Sequence, residues 1–90
     1  MELTGNWSMV NVKVKLFAAY QEVCGKSELT LSFPEATTVG DVLNYLIQER
    51  PELEKWREVT RFGINLQFVS AETVIRDGDE IVLIPPVSGG

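Results

Sequence analysis

The residue types that could support chemistry lie mainly at the C-terminal end of this sequence. Residues 85–90 read PPVSGG and follow an apolar run at 81–84. Glycine has no side-chain chemistry, so Gly89 and Gly90 can offer only backbone groups, the carboxylate of Gly90 among them. The pair is therefore either a solvated end without a role or a terminus that is delivered to a partner.

Histidine is absent from the sequence, and Cys24 is its one cysteine. Zinc, haem and iron–sulfur sites built from these residues within one chain are excluded, as are Ser-His-Asp and Cys-His catalysis. An internal disulfide is impossible, which suits a reducing compartment. Because Lys26 is the only basic residue close to Cys24 in sequence, a small buried hydrophobe is favoured over a reactive thiol.

An acidic segment, DGDE at 77–80, precedes the last apolar run. Gly78 can adopt a positive φ at little cost, which indicates a turn. The carboxylates of Asp77, Asp79 and Glu80 could hold a cation or pair with a partner. A plain solvated turn is the favoured interpretation, and no metal site is predicted.

Eight basic and thirteen acidic residues give a net charge of −5. This charge opposes binding to nucleic acid and favours fast encounter with a basic protein surface. The sequence shows neither a signal peptide nor an apolar stretch long enough to span a membrane, so a cytoplasmic location is expected. We expect a poorly ordered preamble at 1–8, one domain at 9–86 and a flexible tail at 87–90.

Two segments alternate between apolar and polar residues with the period of a half-buried strand. The first is VNVKVKL at 10–16, and the second is SELTLSF at 27–33, which Pro34 ends. Between them, FAAYQEVCG predicts one or two helical turns that Gly25 closes.

The clearest helical pattern begins at Thr38, the predicted N-cap, with Asp41 three residues on. Pro51 ends the pattern at or near Arg50, and ELEKWRE predicts a further turn with Trp56 as an anchor. The predicted apolar stripe consists of Val39, Val42, Leu43, Leu46 and Ile47.

Two short extended pieces flank residues 65–67, and IVLI at 81–84 is the last predicted strand. This order predicts an α+β fold in which one main helix packs on a small mixed sheet. The relative direction of the first and last strands stays open. Since IVLI is apolar throughout, its second face is either covered within the chain or presented to a partner, and the second interpretation is slightly favoured.

Three stretches of the sequence resemble the ubiquitin-like sulfur carriers of the MoaD/ThiS family. They are VKVKLFAAYQEVCG at 12–25, GINLQFVS at 63–70 and RDGDEIVLIPPVSGG at 76–90. Together with the helix in its proper place, the resemblance covers about residues 9–90 and is nearest to the small subunits of molybdopterin synthase. It implies a β-grasp fold, in which the first and last strands pair in parallel at the sheet centre.

The resemblance implies a carrier without an active site or bound cofactor of its own. A partner adenylyltransferase of the MoeB type, related to ubiquitin-activating enzymes, would use ATP to activate Gly90. Sulfur would then convert this terminus to a thiocarboxylate. The large synthase subunit, in a complex of two small and two large subunits, would use that sulfur to make the dithiolene of molybdopterin.

The resemblance also assigns roles to residues near the tail. Gly90 would be the reactive terminus, while Val87, Ser88 and Gly89 would enter the partner's channel. The expected partner interface consists of Pro85, Pro86, Phe17, Phe68 and Ile84.

Three other functions stay open on the sequence. The carrier could donate sulfur to another metabolite such as the thiazole of thiamine. It could be a protein modifier that is linked through Gly90 to lysine side chains. It could also be an interaction module whose tail is incidental.

Overall fold

The computed structural model describes residues 8–85, which form one sheet, two α-helices and a 3₁₀ helix. The elements in chain order are β1 (Met9–Leu16), α1 (Ala18–Cys24), β2 (Glu28–Pro34), α2 (Val39–Glu49), the 3₁₀ helix (Pro51–Trp56), β3 (Arg61–Ile64), β4 (Gln67–Val69) and β5 (Glu80–Ile84). The predicted α+β architecture is confirmed.

The five strands lie in the order β2-β1-β5-β3-β4. β1 pairs with β2 in antiparallel register and with β5 in parallel register, with Val14 opposite Leu29 and Ile81. β3 is antiparallel to both β5 and β4. The last strand therefore lies at the centre of the sheet, beside the first and parallel to it.

The alternation in β1 places its apolar side chains on the face of the sheet that forms the core. Val10, Val12, Val14 and Leu16 are all buried, whereas Lys13 on the opposite face is exposed. The same alternation continues across the sheet because side chains of paired strands share a face. The predicted faces of the first strand are confirmed.

The main helix, α2, begins with a capping box, as predicted. The Thr38 hydroxyl accepts a hydrogen bond from the Asp41 N–H, and the Asp41 carboxylate accepts one from the Thr38 N–H. Loop carbonyls satisfy two further N–H groups at this end, because Val39 donates to Thr73 and Gly40 donates to Ala71. The five residues of the predicted stripe are all buried: Val39, Val42, Leu43, Leu46 and Ile47.

The predicted turn after α2 is the 3₁₀ helix. Its Leu53 is fully buried, and Trp56 packs edge-on against Tyr20 with ring centroids 5.7 Å apart. Trp56 thus joins the second half of the chain to α1. Within residues 8–85, no helix has the length and apolarity needed to span a membrane.

Candidate functional site

The two faces of β5 differ in what they contact. Ile81 and Leu83 are fully buried against the helix side, while Val82 and Ile84 point to the opposite face and are half-buried. A strand with two apolar faces therefore supplies the core with one and leaves the other at the surface. The second of the two interpretations of IVLI, an apolar surface, agrees with this arrangement.

An apolar groove of about 270 Å³ lies on that outer face of the sheet. Gly63 of β3 pairs with Val82 of β5 on one side and with Phe68 of β4 on the other. Because Gly63 has no side chain, the floor of the groove is low between these two residues. Hollows of larger volume lie elsewhere on the described surface, but charged and polar residues line them together with apolar ones. The residues that line the apolar groove are Phe17, Gly63, Leu66, Gln67, Phe68, Val82 and Ile84.

The rim of the groove consists of aromatic and aliphatic side chains that water surrounds in the isolated chain. Phe17 is 48% exposed and Phe68 is 78% exposed. Phe17 follows β1 directly, and Leu16 at the end of β1 pairs with Leu83 of β5, so Phe17 lies beside the end of the central strand. The groove therefore adjoins the C-terminal end of β5.

The hairpin between β3 and β4 contributes the most exposed apolar side chain of the groove. Ile64 pairs with Gln67, which leaves Asn65 and Leu66 as a two-residue turn with φ values of 50° and 74°. Positive φ at both positions is the geometry of a type I′ turn, which favours Asn-Gly. A leucine in the left-handed backbone conformation costs on the order of 1–2 kcal/mol. Burial of the side chain does not offset this cost, since Leu66 is 92% exposed.

The side chain of Asn65 fixes this turn to the acidic turn that precedes β5. Its Oδ1 accepts a hydrogen bond of 3.0 Å from the Glu80 N–H, and its Nδ2 donates one of 3.0 Å to Asp79 Oδ1. The Asn65 N–H also donates to the Glu80 carbonyl at 2.9 Å. Leu66 is therefore held in a defined position relative to β5.

The acidic turn uses its carboxylates within the chain. Asp77 Oδ1 accepts from the Asn11 N–H at 2.7 Å, and Asp79 Oδ2 accepts from the Arg76 N–H at 2.8 Å. Gly78 adopts a φ of 87°, as its predicted turn requires. Among the described residues, no cluster of three His, Cys, Asp or Glu side chains is placed to hold a metal ion.

Charged side chains border the groove on the β1–β2 side. Lys15 lies 3.4 Å from the Glu80 carboxylate and 3.7 Å from the Glu28 carboxylate, and Lys13 lies 3.7 Å from Glu28. These partly exposed ion pairs contribute little to stability. They separate a polar half of the outer face from an apolar half.

Comparison with known proteins identifies the chain. The sequence model of the ThiS family matches residues 14–90. The chain belongs to the ThiS family. Among its curated relatives is the molybdopterin synthase sulfur carrier subunit of Arabidopsis thaliana, which is 35% identical over 83 residues that cover 92% of this chain and 86% of that protein.

Two solved structures share the fold of this chain. The small archaeal modifier protein 1 of Methanosarcina acetivorans is 37% identical with a TM-score of 0.73, covering 92% of this chain and 99% of that one. A complex of subunits 1 and 2 of the molybdopterin-converting factor from Helicobacter pylori contains a chain that is 27% identical, with a TM-score of 0.60 and coverage of 90% and 100%. The ubiquitin-like β-grasp fold of this ThiS-family chain is confirmed.

Three of the predicted interface residues of this ThiS-family chain lie together in the groove, namely Phe17, Phe68 and Ile84. Pro85 does not line the groove, and it is buried rather than presented at the surface. Pro86, Val87, Ser88, Gly89 and Gly90 lie outside the described residues.

Four further groove residues were not among the predicted interface residues, namely Gly63, Leu66, Gln67 and Val82. Val82 nevertheless belongs to the IVLI run, whose second face was favoured as a surface for a partner. One signal for Leu66 is present in the sequence, because an asparagine in a short hairpin is followed by leucine where glycine is favoured. Gly63 gave no such signal, since it becomes a neighbour of Val82 only when β3 pairs with β5.

Cys24 lies at the end of α1, away from the groove, and is partly buried. Burial raises the pKa of its thiol, with Arg50 acting in the opposite direction and Glu52 in the same one. A raised pKa means less thiolate at neutral pH and therefore lower reactivity. The environment of Cys24 thus agrees with the interpretation as a small, inert core-edge residue.

Proposed function

We propose that this chain is a sulfur carrier protein that serves as the small subunit of a molybdopterin synthase. The observation that carries the proposal is the apolar groove beside the end of β5, in a ThiS-family chain whose family match extends to Gly90. The name of the Arabidopsis relative supports the same function. The chain supplies a reactive terminus and a docking surface, while the catalysed steps occur in its partners.

The proposed chemistry begins with the carboxylate of Gly90. This carboxylate attacks the α-phosphorus of ATP in an adenylyltransferase of the MoeB type, which forms an acyl-adenylate and releases pyrophosphate. A sulfur nucleophile then attacks the acyl carbon, and AMP leaves with the electron pair of the broken C–O bond. If the nucleophile is hydrosulfide, loss of one proton leaves Gly90 as a thiocarboxylate. If it is a persulfide, an acyl disulfide forms, and a second thiolate that attacks the donor's sulfur releases the thiocarboxylate and leaves a disulfide on the donor.

Delivery of the sulfur requires the tail to reach into a partner. The five residues after Pro85 can extend roughly 16 Å from the sheet, and Gly89 and Gly90 lack the Cβ atoms that would block a narrow channel. The large synthase subunit is the proposed acceptor, in a complex of two small and two large subunits. The two-subunit Helicobacter pylori complex supports a partner of this kind.

The first experiment is mass spectrometry of the C-terminal peptide of protein isolated from its own cells. Exchange of oxygen for sulfur adds about 16 Da, nominally the same as oxidation of a methionine, so fragmentation has to locate the gain. A gain on Gly90 supports the carrier function. A Gly90 that stays unmodified under all growth conditions contradicts it.

A second experiment separates delivery from folding. Deletion of Gly89 and Gly90 is expected to abolish sulfur transfer in a mixture with the large subunit, while the melting temperature stays near that of the full chain. Replacement of both residues by alanine is the matched control for tail length. A large loss of thermal stability in the deletion variant would count against a delivered tail.

A second candidate function is protein modification, favoured by the likeness to small archaeal modifier protein 1. In this case a lysine amine attacks the same acyl-adenylate, and an isopeptide bond to Gly90 forms as AMP leaves. Proteomic detection of lysines that carry residues 77–90, the C-terminal peptide that trypsin leaves after Arg76, would support it. Detection of the thiocarboxylate without such lysines would restrict the chain to sulfur transfer.

A further inference from the structure

Leu66 at the tip of the β3–β4 hairpin has a conformation and an exposure that the isolated fold does not explain. Its φ is 74°, where leucine is strained, and its side chain is 92% exposed. Glycine or asparagine would adopt this backbone conformation more easily. A strained and solvated leucine gains packing only when another molecule covers it.

The turn that carries Leu66 is held firmly in place. Three hydrogen bonds join Asn65 to Asp79 and Glu80, which lead into the central strand. The backbone of Leu66 is thereby fixed at one end of the groove, with Phe68, Gly63 and Val82 beside it. A side chain presented on a fixed backbone loses less conformational entropy on binding than one on a free loop.

Resting on the function proposed above, we propose that Leu66 is an anchor residue for the large synthase subunit, held in its binding position by Asn65. The occupant follows from the position of the tail. A protein that takes Gly90 into its active site must come within roughly 16 Å of Pro85. Ile84 and Val82, one and three residues before Pro85, line the same groove as Leu66, so a protein that takes up Gly90 comes against this face. The adenylyltransferase also takes up Gly90, and the solved complex of subunits 1 and 2 from Helicobacter pylori favours the large subunit as the occupant.

The test uses Leu66→Asn in the full-length chain. Asparagine removes the apolar side chain but tolerates a positive φ, so the melting temperature is expected to equal or exceed that of the wild type. The dissociation constant for the large subunit from the same organism, measured by titration calorimetry, is expected to rise about tenfold or more. This combination of undiminished stability and weaker binding is not expected of a residue with a merely structural role.

Val59→Asn is the matched control. Val59 is an exposed aliphatic residue, 51% exposed, and it does not line the groove. Its replacement is expected to leave the dissociation constant for the large subunit unchanged.

The role of Asn65 is tested with Asn65→Gly, which keeps a residue suited to positive φ but removes both side-chain hydrogen bonds. Hydrogen exchange of the amides of the hairpin turn is expected to accelerate, and the dissociation constant is expected to rise. Faster exchange with unchanged affinity would overturn the positioning role.

Two outcomes separate this inference from the proposed function. If the wild-type chain binds the large subunit and Leu66→Asn binds within about twofold of it, the anchor role is wrong and the sulfur-carrier function stands. If the wild-type chain does not bind the large subunit at all, the proposed function itself fails.

Two other occupants of the groove are distinguishable. Analytical ultracentrifugation of the isolated chain would reveal a second copy as the occupant, through a dimer that Leu66→Asn dissociates. A variant that loses binding only to the adenylyltransferase would assign the groove to that enzyme. Either result would overturn the anchor role toward the large subunit.

Discussion

At the scale of single residues, a short chain of hydrogen bonds lies inside the core. Thr60, only 8% exposed, donates from its hydroxyl to the Trp56 carbonyl at 2.7 Å. Because that hydroxyl hydrogen is used, the Thr60 oxygen accepts from the buried Tyr20 hydroxyl. These two hydrogen bonds link α1 to the segment that leads into β3.

Removal of the Thr60 hydroxyl, the middle group of these hydrogen bonds, is expected to lower the free energy of unfolding more than removal of the Tyr20 hydroxyl at their end. Thr60→Val leaves the buried Tyr20 hydroxyl without its partner, while the Trp56 carbonyl keeps only the hydrogen bond from the Val59 N–H, and about 1–3 kcal/mol of unfolding free energy should be lost. Tyr20→Phe leaves Thr60 bonded to Trp56 and should cost about 0.5–1.5 kcal/mol. Urea denaturation of both variants measures the difference, and a larger loss in Tyr20→Phe would contradict the direction assigned to the bonds.

Tyr20 also makes the free energy of unfolding depend on pH in the alkaline range. Burial raises the pKa of its phenol above the ordinary 10.0. The unfolded chain therefore ionises first, so this stabilisation is complete below pH 10.0 and is lost as the pH rises through the folded-state value.

We expect the free energy of unfolding to fall more steeply above pH 10.0 in the wild type than in Tyr20→Phe. Tyr45→Phe serves as the control, since that ring is 39% exposed. Equal slopes for the wild type and Tyr20→Phe would show that other groups cause the pH dependence.

At the scale of secondary structure, the capping box of α2 combines local and tertiary bonds. Thr38→Ala removes the side-chain acceptor for the Asp41 N–H and should lower the unfolding free energy by about 1 kcal/mol. Thr38→Ser keeps the hydroxyl and should restore most of that loss. Urea denaturation tests both variants, and equal stability of the alanine and serine variants would show that the cap contributes nothing.

The two faces of β5 give a second prediction at this scale. Leu83→Ala leaves a cavity in the core and should cost about 2–5 kcal/mol of unfolding free energy. Val82→Ala on the outer face should cost less than about 1 kcal/mol but should weaken binding to the large subunit. Urea denaturation and titration calorimetry on Leu83→Ala and Val82→Ala test whether the two faces of β5 have these different roles. Equal losses of unfolding free energy in the two variants would contradict it.

At the scale of the whole molecule, the charge of −5 favours association with a basic partner surface. The association rate with the large subunit should fall as ionic strength rises from about 0.02 M to about 0.5 M, while the dissociation rate changes little. Stopped-flow kinetics measure both rates. Leu66→Asn is the comparison, since loss of an uncharged contact should raise the dissociation rate and leave the salt dependence of association unchanged.

Much of the fold was predictable because its signals are local. The period-two alternation of β1, the stripe of α2 and the Thr38 cap each depend on residues within one element, and the structure confirms all three. Gly25 and Gly78 also adopt the positive φ values that their predicted turns require. The parallel pairing of β1 and β5 was predicted from the family resemblance, because hydrophobic periodicity does not determine which strands pair.

The groove was predictable only in part. Phe17, Phe68 and Ile84 were chosen because they are apolar and near the tail in the expected fold. Gly63 was missed because it resembles an ordinary strand residue until the β3–β5 register places it beside Val82. Leu66 was missed because its strain is a property of the turn geometry that the hydrogen bonds of Asn65 impose.

The sequence by itself determined the elements and the faces they bury, since periodicity, capping and turn chemistry act over a few residues. The tertiary structure alone decided that Phe17, Leu66 and Val82, far apart in the chain, form one apolar surface beside the end of the central strand. That surface depends on strand order and register, which arise from burying one shared core and not from any single segment.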